Sequence, residues 1–257
     1  MSFDISHYLE QWEYQPGQVV VRKFVGKDGR EKIQLRVDLG LLQMNAIGRP
    51  DGKLPFGHES LYEHFQNRLR LHLETTDGDE SGFRLSAEDC SKLQQEAIQY
   101  HHRYICLFQL KEYDAVLRDA DRNLRVFDFV DAHADSPEHG WAVAQLRPQL
   151  MLMRIRAEGT REVEAGRHDE AILAVETGLE TVREFFRRKE RPELADSSGE
   201  VMSLEAWLHE LRSARPVSEK EQLEETLREA IKREDYEKAA ECRDALRNLA
   251  AAPKQNS

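Results

Sequence analysis

Cysteine is scarce in this chain of 257 residues, and long apolar runs are missing. The three cysteines, Cys90, Cys106 and Cys242, form no CxxC pair, and their odd number fits free thiols in a reducing compartment. No stretch of about eighteen apolar residues exists, so no membrane span is predicted. The first ten residues lack a basic segment followed by an apolar one, so we expect no secretory signal and a cytoplasmic location.

The common motifs of phosphate binding and hydrolysis are also missing. The sequence contains no GxxxxGK[ST], no HExxH and no GxSxG. His133, Asp135 and His139 fall in one predicted loop and are ligand types for zinc, but such spacing is common by chance, so a solvated loop is favoured. We therefore expect no catalytic residue, no cofactor and no metal site, and a protein that is not an enzyme.

The charge balance argues against direct nucleic-acid binding. The net charge is -11, and an acidic surface repels phosphate at long range. One basic cluster is present, and a helix end in solvent is its favoured interpretation. The cluster consists of Arg183, Arg187, Arg188, Lys189 and Arg191.

The N-terminal part, residues 1–80, is predicted to be a small α+β unit. A short helix over residues 3–14 precedes a β-hairpin whose turn is Gly26-Lys27-Asp28-Gly29. The returning strand, residues 32–39, alternates polar and apolar residues, so we expect one face to be buried against helices. That face carries Ile33, Leu35, Val37 and Leu39. Residues 45–60 are rich in glycine and proline and are predicted to form an irregular loop.

Residues 83–213 are predicted to form an antiparallel helical body. Two polar turns, residues 112–114 and 167–169, each join two long helices. Each turn is followed by an alanine, Ala115 or Ala171, which would let the helices approach closely. The arrangement resembles tetratricopeptide-type pairs, although the turns are 55 positions apart rather than about 34. The predicted fold class is therefore α+β, mostly α, with a helical bundle of tetratricopeptide-like pairs.

Residues 217–250 are predicted to form a separate helical hairpin. Ser218 and Glu221 form a capping box after Pro216, and Asp235 is placed to cap the second helix. Each helix has one apolar stripe. The first stripe carries Leu223, Leu227 and Ile231, and the second carries Tyr236, Ala239, Ala240, Leu246 and Leu249.

The residues LREAIKREDYEKAAECRDALRNL resemble the UVR motif, a helical hairpin shared by the bacterial excision-repair subunits UvrB and UvrC. The motif also occurs in stress adaptors of the McsA kind and in some Clp chaperones. This chain lacks the CxxC zinc sites of the McsA-like adaptors, the helicase motifs of UvrB and the nuclease motifs of UvrC. Residues 35–52 are similar to a group of bacterial proteins that end in the same motif, a resemblance that implies no activity.

The resemblance implies that the hairpin pairs with another hairpin of the same kind. A hairpin of this size buries too little apolar surface to be stable alone, so its stripe must dock on its own chain, on a second copy or on another protein. Arg243 and Asp244 would then make ion pairs that fix the register. The predicted partner-binding residues are Leu223, Leu227, Ile231, Tyr236, Ala239, Ala240, Arg243, Asp244, Leu246 and Leu249.

Three functions follow from these observations. The leading hypothesis is a non-enzymatic adaptor that binds a protein partner or a second copy, linked to DNA repair or stress response. The second is a ligand-binding or enzymatic N-terminal domain with the hairpin as a tether, which a polar pocket holding Arg49, Asp51 and His58 would favour. The third is an accessory protein of nucleotide excision repair that contacts DNA. The hairpin argues against the third, because it carries ten acidic and seven basic side chains.

Overall fold

The computed structural model describes residues 4–216 and 219–251. The fold is mostly helical, with one small antiparallel sheet near the N-terminus, which confirms the predicted α+β class. The chain divides after His209 into two compact units, residues 1–209 and 210–257. The three-domain division drawn from the sequence stays a prediction.

The bounds of the elements follow the apolar periodicity of the chain. The strands are β1 Val20–Val25, β2 Glu31–Val37 and β3 Gly40–Asn45. The helices of the first 216 residues are α1 Ser6–Glu10, α2 Leu61–Thr75, α3 Ala87–Gln109, α4 Tyr113–His133, α5 Pro137–Ala144, α6 Arg147–Glu164, α7 His168–Arg188, α8 Leu194–Ser197 and α9 Gly199–Ala214. Those after residue 218 are α10 Glu219–Lys232 and α11 Tyr236–Ala251. Within the described ranges, none of the helices has the length and apolar character needed to cross a membrane.

The sheet is a three-stranded meander in the order β1-β2-β3. Ile33 in β2 pairs with Lys23 of β1 and Met44 of β3, and its side chain is fully buried. The third strand was not predicted. Leu39 was expected on the buried face, but it is 92 % exposed, because β2 ends at Val37 and residues 38–39 turn the chain into β3.

The sheet and the helices share one hydrophobic core. Ile33 and Met44 belong to the same buried cluster as Phe65 of α2 and Leu93 and Leu107 of α3. The helices therefore cover the apolar face of the predicted hairpin, as a lone ribbon requires.

Two helix boundaries differ from those predicted. The first helix, expected over residues 3–14, is Ser6–Glu10 among the described residues. The apolar pattern also predicts one helix over residues 141–165, but the structure interrupts it after Ala144 and begins a new helix at Arg147. Pro148 explains the interruption, because it has no N–H to donate to the preceding turn and is tolerated in the first turn of a helix.

The turns between long helices repeat one hydrogen-bonding pattern. After α3, the N–H of Glu112 donates to the carbonyl of Leu107 at 2.9 Å; after α6, the N–H of Arg167 donates to the carbonyl of Glu162 at 2.9 Å. The residue before each donor, Lys111 or Gly166, has a positive φ of 60° or 76°. These are Schellman turns, and they confirm that the two helical pairs share the same turn.

Of the two alanines predicted to allow close approach of the helices after these turns, only one is fully buried. Ala171 is fully buried, as expected, but Ala115 is half-buried, and the fully buried residue at the matching position is Val116. The closest approach in the second pair also involves Gly178, where an added Cβ would lie 2.4 Å from Cγ1 of Ile155. The contact between α6 and α7 thus depends on a glycine that the sequence pattern did not single out.

The left-handed turn residues give a matched pair of predictions. We expect Gly166→Ala to lower the free energy of unfolding by about 1 kcal/mol, because an L-residue is strained at positive φ. An added Cβ at Gly166 would meet nothing within 4 Å, so the effect would come from the backbone. Glu190, after α7, already has φ 56°, so Glu190→Gly should raise the unfolding free energy by roughly 0.5 kcal/mol. Urea unfolding would measure both values, and effects of the same sign would contradict the argument.

A buried polar network joins the loop of residues 45–60 to α3 and α4. Arg103, which is 1 % exposed, donates from Nε and Nη2 to the carboxylate of Asp119 at 2.6 and 2.8 Å. Its Nη1 donates to the carbonyls of Asn45 and Gly48 at 3.1 and 2.6 Å. The side chain of Arg118 reaches the carbonyl of Ala46 at 3.3 Å. The irregular loop is therefore held by guanidinium groups from the helices.

Glu96 is the second centre of this network, and its side chain has no exposed surface. Its carboxylate accepts the backbone N–H of Leu61 at 2.7 Å and that of Tyr62 at 3.3 Å, at the start of α2. It also pairs with Arg122, and Nε of Arg49 lies 3.1 Å from its Oε1. One buried carboxylate thus connects the loop, α2, α3 and α4.

One buried and three half-buried histidines predict a stability that falls in mild acid. Burial lowers the pKa of His64, His101, His102 and His133 below the ordinary value of 6.5. The unfolded chain therefore binds more protons than the folded chain as the pH falls below 6.5, and stability is lost across the interval down to the folded pKa values. We expect a lower melting temperature at pH 5.5 than at pH 7.5 in thermal unfolding at fixed ionic strength. His102→Gln should reduce this difference, and a difference that persists unchanged in that variant would count against the assignment to His102.

Candidate partner-binding hairpin

The second unit contains the helical pair α10 and α11, which is the predicted partner-binding hairpin. The N–H of Asp235 donates to the carbonyl of Ala230 at 2.9 Å, and Glu234 has φ 57°. This is the same turn that joins the helical pairs of the first unit. Oδ1 of Asp235 accepts the N–H of Lys238 at 3.1 Å, so Asp235 caps α11 as predicted. The predicted capping box at Ser218 lies outside the described residues.

The two helices meet through small side chains. Ala230 is 4 % exposed, Ala239 is 1 % exposed and Cys242 is 6 % exposed. Ala240, predicted to allow the same close approach, is exposed, because consecutive residues of a helix point about 100° apart. The sequence interpretation missed Ala230 and Cys242, although their three-residue and four-residue spacing from Leu227, Ala239 and Leu246 is the pattern of a packed seam.

The larger apolar residues predicted for the hairpin differ in how far they are exposed to solvent. Leu223, Leu227 and Leu246 are half-buried. Ile231, Tyr236 and Leu249 are 49 %, 71 % and 38 % exposed. The helical pair therefore leaves large apolar side chains in solvent, which are the groups that a docked partner would remove from water.

Several charged residues of the hairpin are exposed and pair within their own helices. Arg228 lies 2.9 Å from Glu225, and Arg247 lies 3.6 Å from Asp244. Arg243 and Asp244 are both exposed, so each can reach a partner across an interface. Their role in fixing register stays a prediction.

The basic side chains at the end of α7 form ion pairs with acidic side chains of the same chain. Nη2 of Arg183 lies 2.5 Å from Glu205, and Nζ of Lys189 lies 2.6 Å from Asp131. Arg187, Arg188 and Arg191 also have carboxylates within 4 Å. Neutralised cations release few counterions on meeting phosphate, so the cluster offers little to nucleic acid.

The polar residues proposed for the loop of residues 45–60 do not line one pocket, although Nε of Arg49 lies 3.5 Å from Oδ1 of Asp51. Arg49 lines a cavity of about 390 Å³, whereas neither Asp51 nor His58 lines it. Oδ2 of Asp51 accepts from Nε2 of Gln99 at 3.3 Å, and the ring of His58 lies 5.3 Å from that of His64. The pocket of Arg49, Asp51 and His58 that would favour the tethered-domain hypothesis is therefore not formed.

The segment with His133, Asp135 and His139, predicted to be a loop, instead places His133 at the end of α4 and His139 in α5, and it separates the candidate ligands. Nδ1 of His139 lies 2.6 Å from Oδ1 of Asp135, while His133 is buried against the rings of Phe83 and Phe129. Among the described residues, no group of three or more histidine, cysteine or acidic side chains is placed to hold a metal ion.

Comparison with known families identifies the hairpin segment. The family model of the UvrB/UvrC motif, UVR, matches residues 218–252, which confirms the resemblance drawn from the sequence. Comparisons with curated proteins and with solved structures found no match. The motif suggests a role linked to nucleotide excision repair or to protein interaction. The tetratricopeptide-like character of the first unit stays a prediction.

Proposed function

We propose that this chain, which carries a UVR motif at residues 218–252, is a non-enzymatic adaptor whose hairpin binds a second hairpin of the same kind. The partner hairpin belongs to a second copy or to another protein of DNA repair or stress response. The observation that carries the proposal is the exposure of Ile231, Tyr236 and Leu249 on a pair of short helices. Apolar surface of this kind contributes roughly 25 cal/mol for each Å² removed from water, so covering it drives association.

The contact between α10 and α11 supports the same conclusion. The seam residues that are fully buried are Ala230, Ala239 and Cys242, all small, while the larger apolar side chains are half-buried or exposed. Small buried side chains contribute little hydrophobic stabilisation, so the hairpin needs further burial to be stable. A four-helix arrangement with a second hairpin would provide it.

The charge of the hairpin favours a protein partner over DNA. Ten acidic side chains against seven basic ones repel the phosphate backbone, whereas mixed charges suit ion pairs with a second hairpin of mixed charge. Salt-dependent DNA binding by the purified chain would instead favour the accessory-protein hypothesis.

Removal of the hairpin tests the proposal. The full-length chain would be compared with a chain that ends at Pro216 by sedimentation velocity and by binding to purified proteins that carry the UVR motif. We expect the full-length chain to associate with itself or with such a protein and the shortened chain to do neither. Circular dichroism would show that the first unit remains folded. If the shortened chain keeps the same oligomeric state and the same partners, the hairpin is not the binding element.

A further inference from the structure

The cavity beside Arg49 is lined by an unusual set of cations and rings. It has a volume of about 390 Å³ and lies where the loop of residues 45–60 and the start of α2 meet α3 and α4. Three arginines, Arg49, Arg122 and Arg125, and two aromatic residues, Tyr62 and Tyr100, line it. Of these five residues only Arg49 stands out in the sequence, because the other four lie on helices at ordinary polar or aromatic positions.

Two of the arginines are fixed in place by buried contacts. Arg49 and Arg122 both pair with Glu96, and each has only 11 % of its side chain exposed. The guanidinium of Arg122 also lies over the ring of Tyr100, 4.1 Å from the ring centroid. Side chains held in this way lose little further conformational freedom when they bind a ligand.

Donors on this surface remain unused. The terminal nitrogens of Arg49 donate no hydrogen bond to any described residue, whereas its buried Nε lies 3.1 Å from Oε1 of Glu96 and 3.5 Å from Oδ1 of Asp51. Arg125 is exposed and pairs with no carboxylate in the part of the chain that the structure describes. The hydroxyl groups of Tyr62 and Tyr100 also make no hydrogen bond to described residues.

The start of α2 does not supply these donors. Its first N–H groups, those of Leu61 and Tyr62, already donate to Glu96, and that of Glu63 donates to Oγ of Ser60 at 3.1 Å. The free donors therefore belong to side chains, and the arginines among them present the planar forks that match a carboxylate or phosphate group.

We propose that this cavity binds a small ligand through a carboxylate or phosphate group, with Arg125 and the terminal nitrogens of Arg49 as the donors. Holding the loop in place accounts for Arg103, whose nitrogens are bonded to Asp119 and to loop carbonyls. It does not account for Arg125. Glu59 and Glu63, both exposed, also line the cavity and reduce its net positive charge, so the site suits a ligand with a single anionic group rather than nucleic acid, whose many phosphates add to the repulsion.

Calorimetric titration of the full-length chain tests the site with three probes at constant ionic strength. Inorganic phosphate and succinate distinguish a phosphate from a carboxylate ligand, and adenosine monophosphate shows whether an aromatic ring adds affinity through the tyrosines. We expect at least one probe to bind at millimolar concentration or below. Arg125→Gln should weaken that binding about tenfold or more, since it removes a charge-assisted contact. Arg125→Lys should restore part of the affinity, because it keeps the charge without the planar fork.

Arg70→Gln is the matched control, because Arg70 is an exposed arginine on α2 that does not line the cavity. It should leave the affinity unchanged. Binding of no probe at millimolar concentration would overturn the proposal, and so would equal binding by wild type and Arg125→Gln. Either result leaves the adaptor function standing, since that function depends on the second unit.

Discussion

Glu96→Ala is expected to reduce the free energy of unfolding by about 3 to 5 kcal/mol. The substitution leaves two guanidinium groups, those of Arg49 and Arg122, without their buried carboxylate. It also leaves the N–H groups of Leu61 and Tyr62 without an acceptor. Removing one partner from a buried ionic contact costs more than the contact contributed, because the remaining charge stays buried and unpaired. In a domain of this size the melting temperature should fall on the order of 10 °C.

Urea unfolding followed by circular dichroism would measure this loss, with Glu88→Ala as the control. Glu88 lies on the same helix and pairs with Lys92 at 2.7 Å, but its side chain is 78 % exposed, so its loss should cost less than about 1 kcal/mol. Glu96→Gln keeps an acceptor oxygen and should fall between the two. Equal losses for Glu96→Ala and Glu88→Ala would show that the buried network does not hold the fold.

Ile231→Asp is expected to weaken association through the hairpin about tenfold or more. The Ile231 side chain is 49 % exposed on α10, and a partner that covers it gains its apolar burial. A carboxylate at the same position has to lose its water without a defined partner, which adds to the loss. Sedimentation equilibrium, or titration against a UVR-motif partner, would give the change in dissociation constant.

Leu173→Asp is the matched control for this substitution. Leu173 lies on α7 in the first unit and is 62 % exposed, so the chemical change is similar and only the place differs. We expect association to be unchanged in Leu173→Asp, and circular dichroism should show both variants folded. If the two variants associate equally well, the surface of Ile231 is not the interface.

Sequence reasoning succeeded where the signals are local. The capping residue Asp235 and the positions of the turns depend on residues within a few positions of one another. The structure also contains a capping box of Ser86 and Asp89 at the start of α3, which likewise depends on residues three positions apart. Helix geometry determines local features of this kind, so they can be predicted without knowing the rest of the fold.

The missed features depend on contacts between distant residues. β3 lacks a strict alternation, with Leu41 and Leu42 adjacent, so its sequence does not predict a strand and its pairing with β2 defines it. The contact of Arg103 with Asp119 joins two helices through positions that read as ordinary polar residues. In the contact between α10 and α11, Ala230 is buried and the neighbouring Ile231 is exposed. The two side chains point about 100° apart on the helix, and the spacing of apolar residues in the sequence does not show which of them faces α11.

The candidate site was predicted in part for the same reason. The hairpin was recognised from its own residues, and the motif match covers it. The arginine-lined cavity was not, because Arg122, Arg125, Tyr62 and Tyr100 come from three helices and meet only in the folded chain.

The attachment of the loop of residues 45–60 also decides how the first unit opens. A segment with this much glycine and proline would ordinarily exchange its amide hydrogens quickly and be cut early by proteases. Here its carbonyls at Asn45, Ala46 and Gly48 are bound by arginines of α3 and α4. The first residues of the loop can therefore open only when these contacts with α3 and α4 break, so their amide hydrogens should exchange more slowly than those of an unanchored loop.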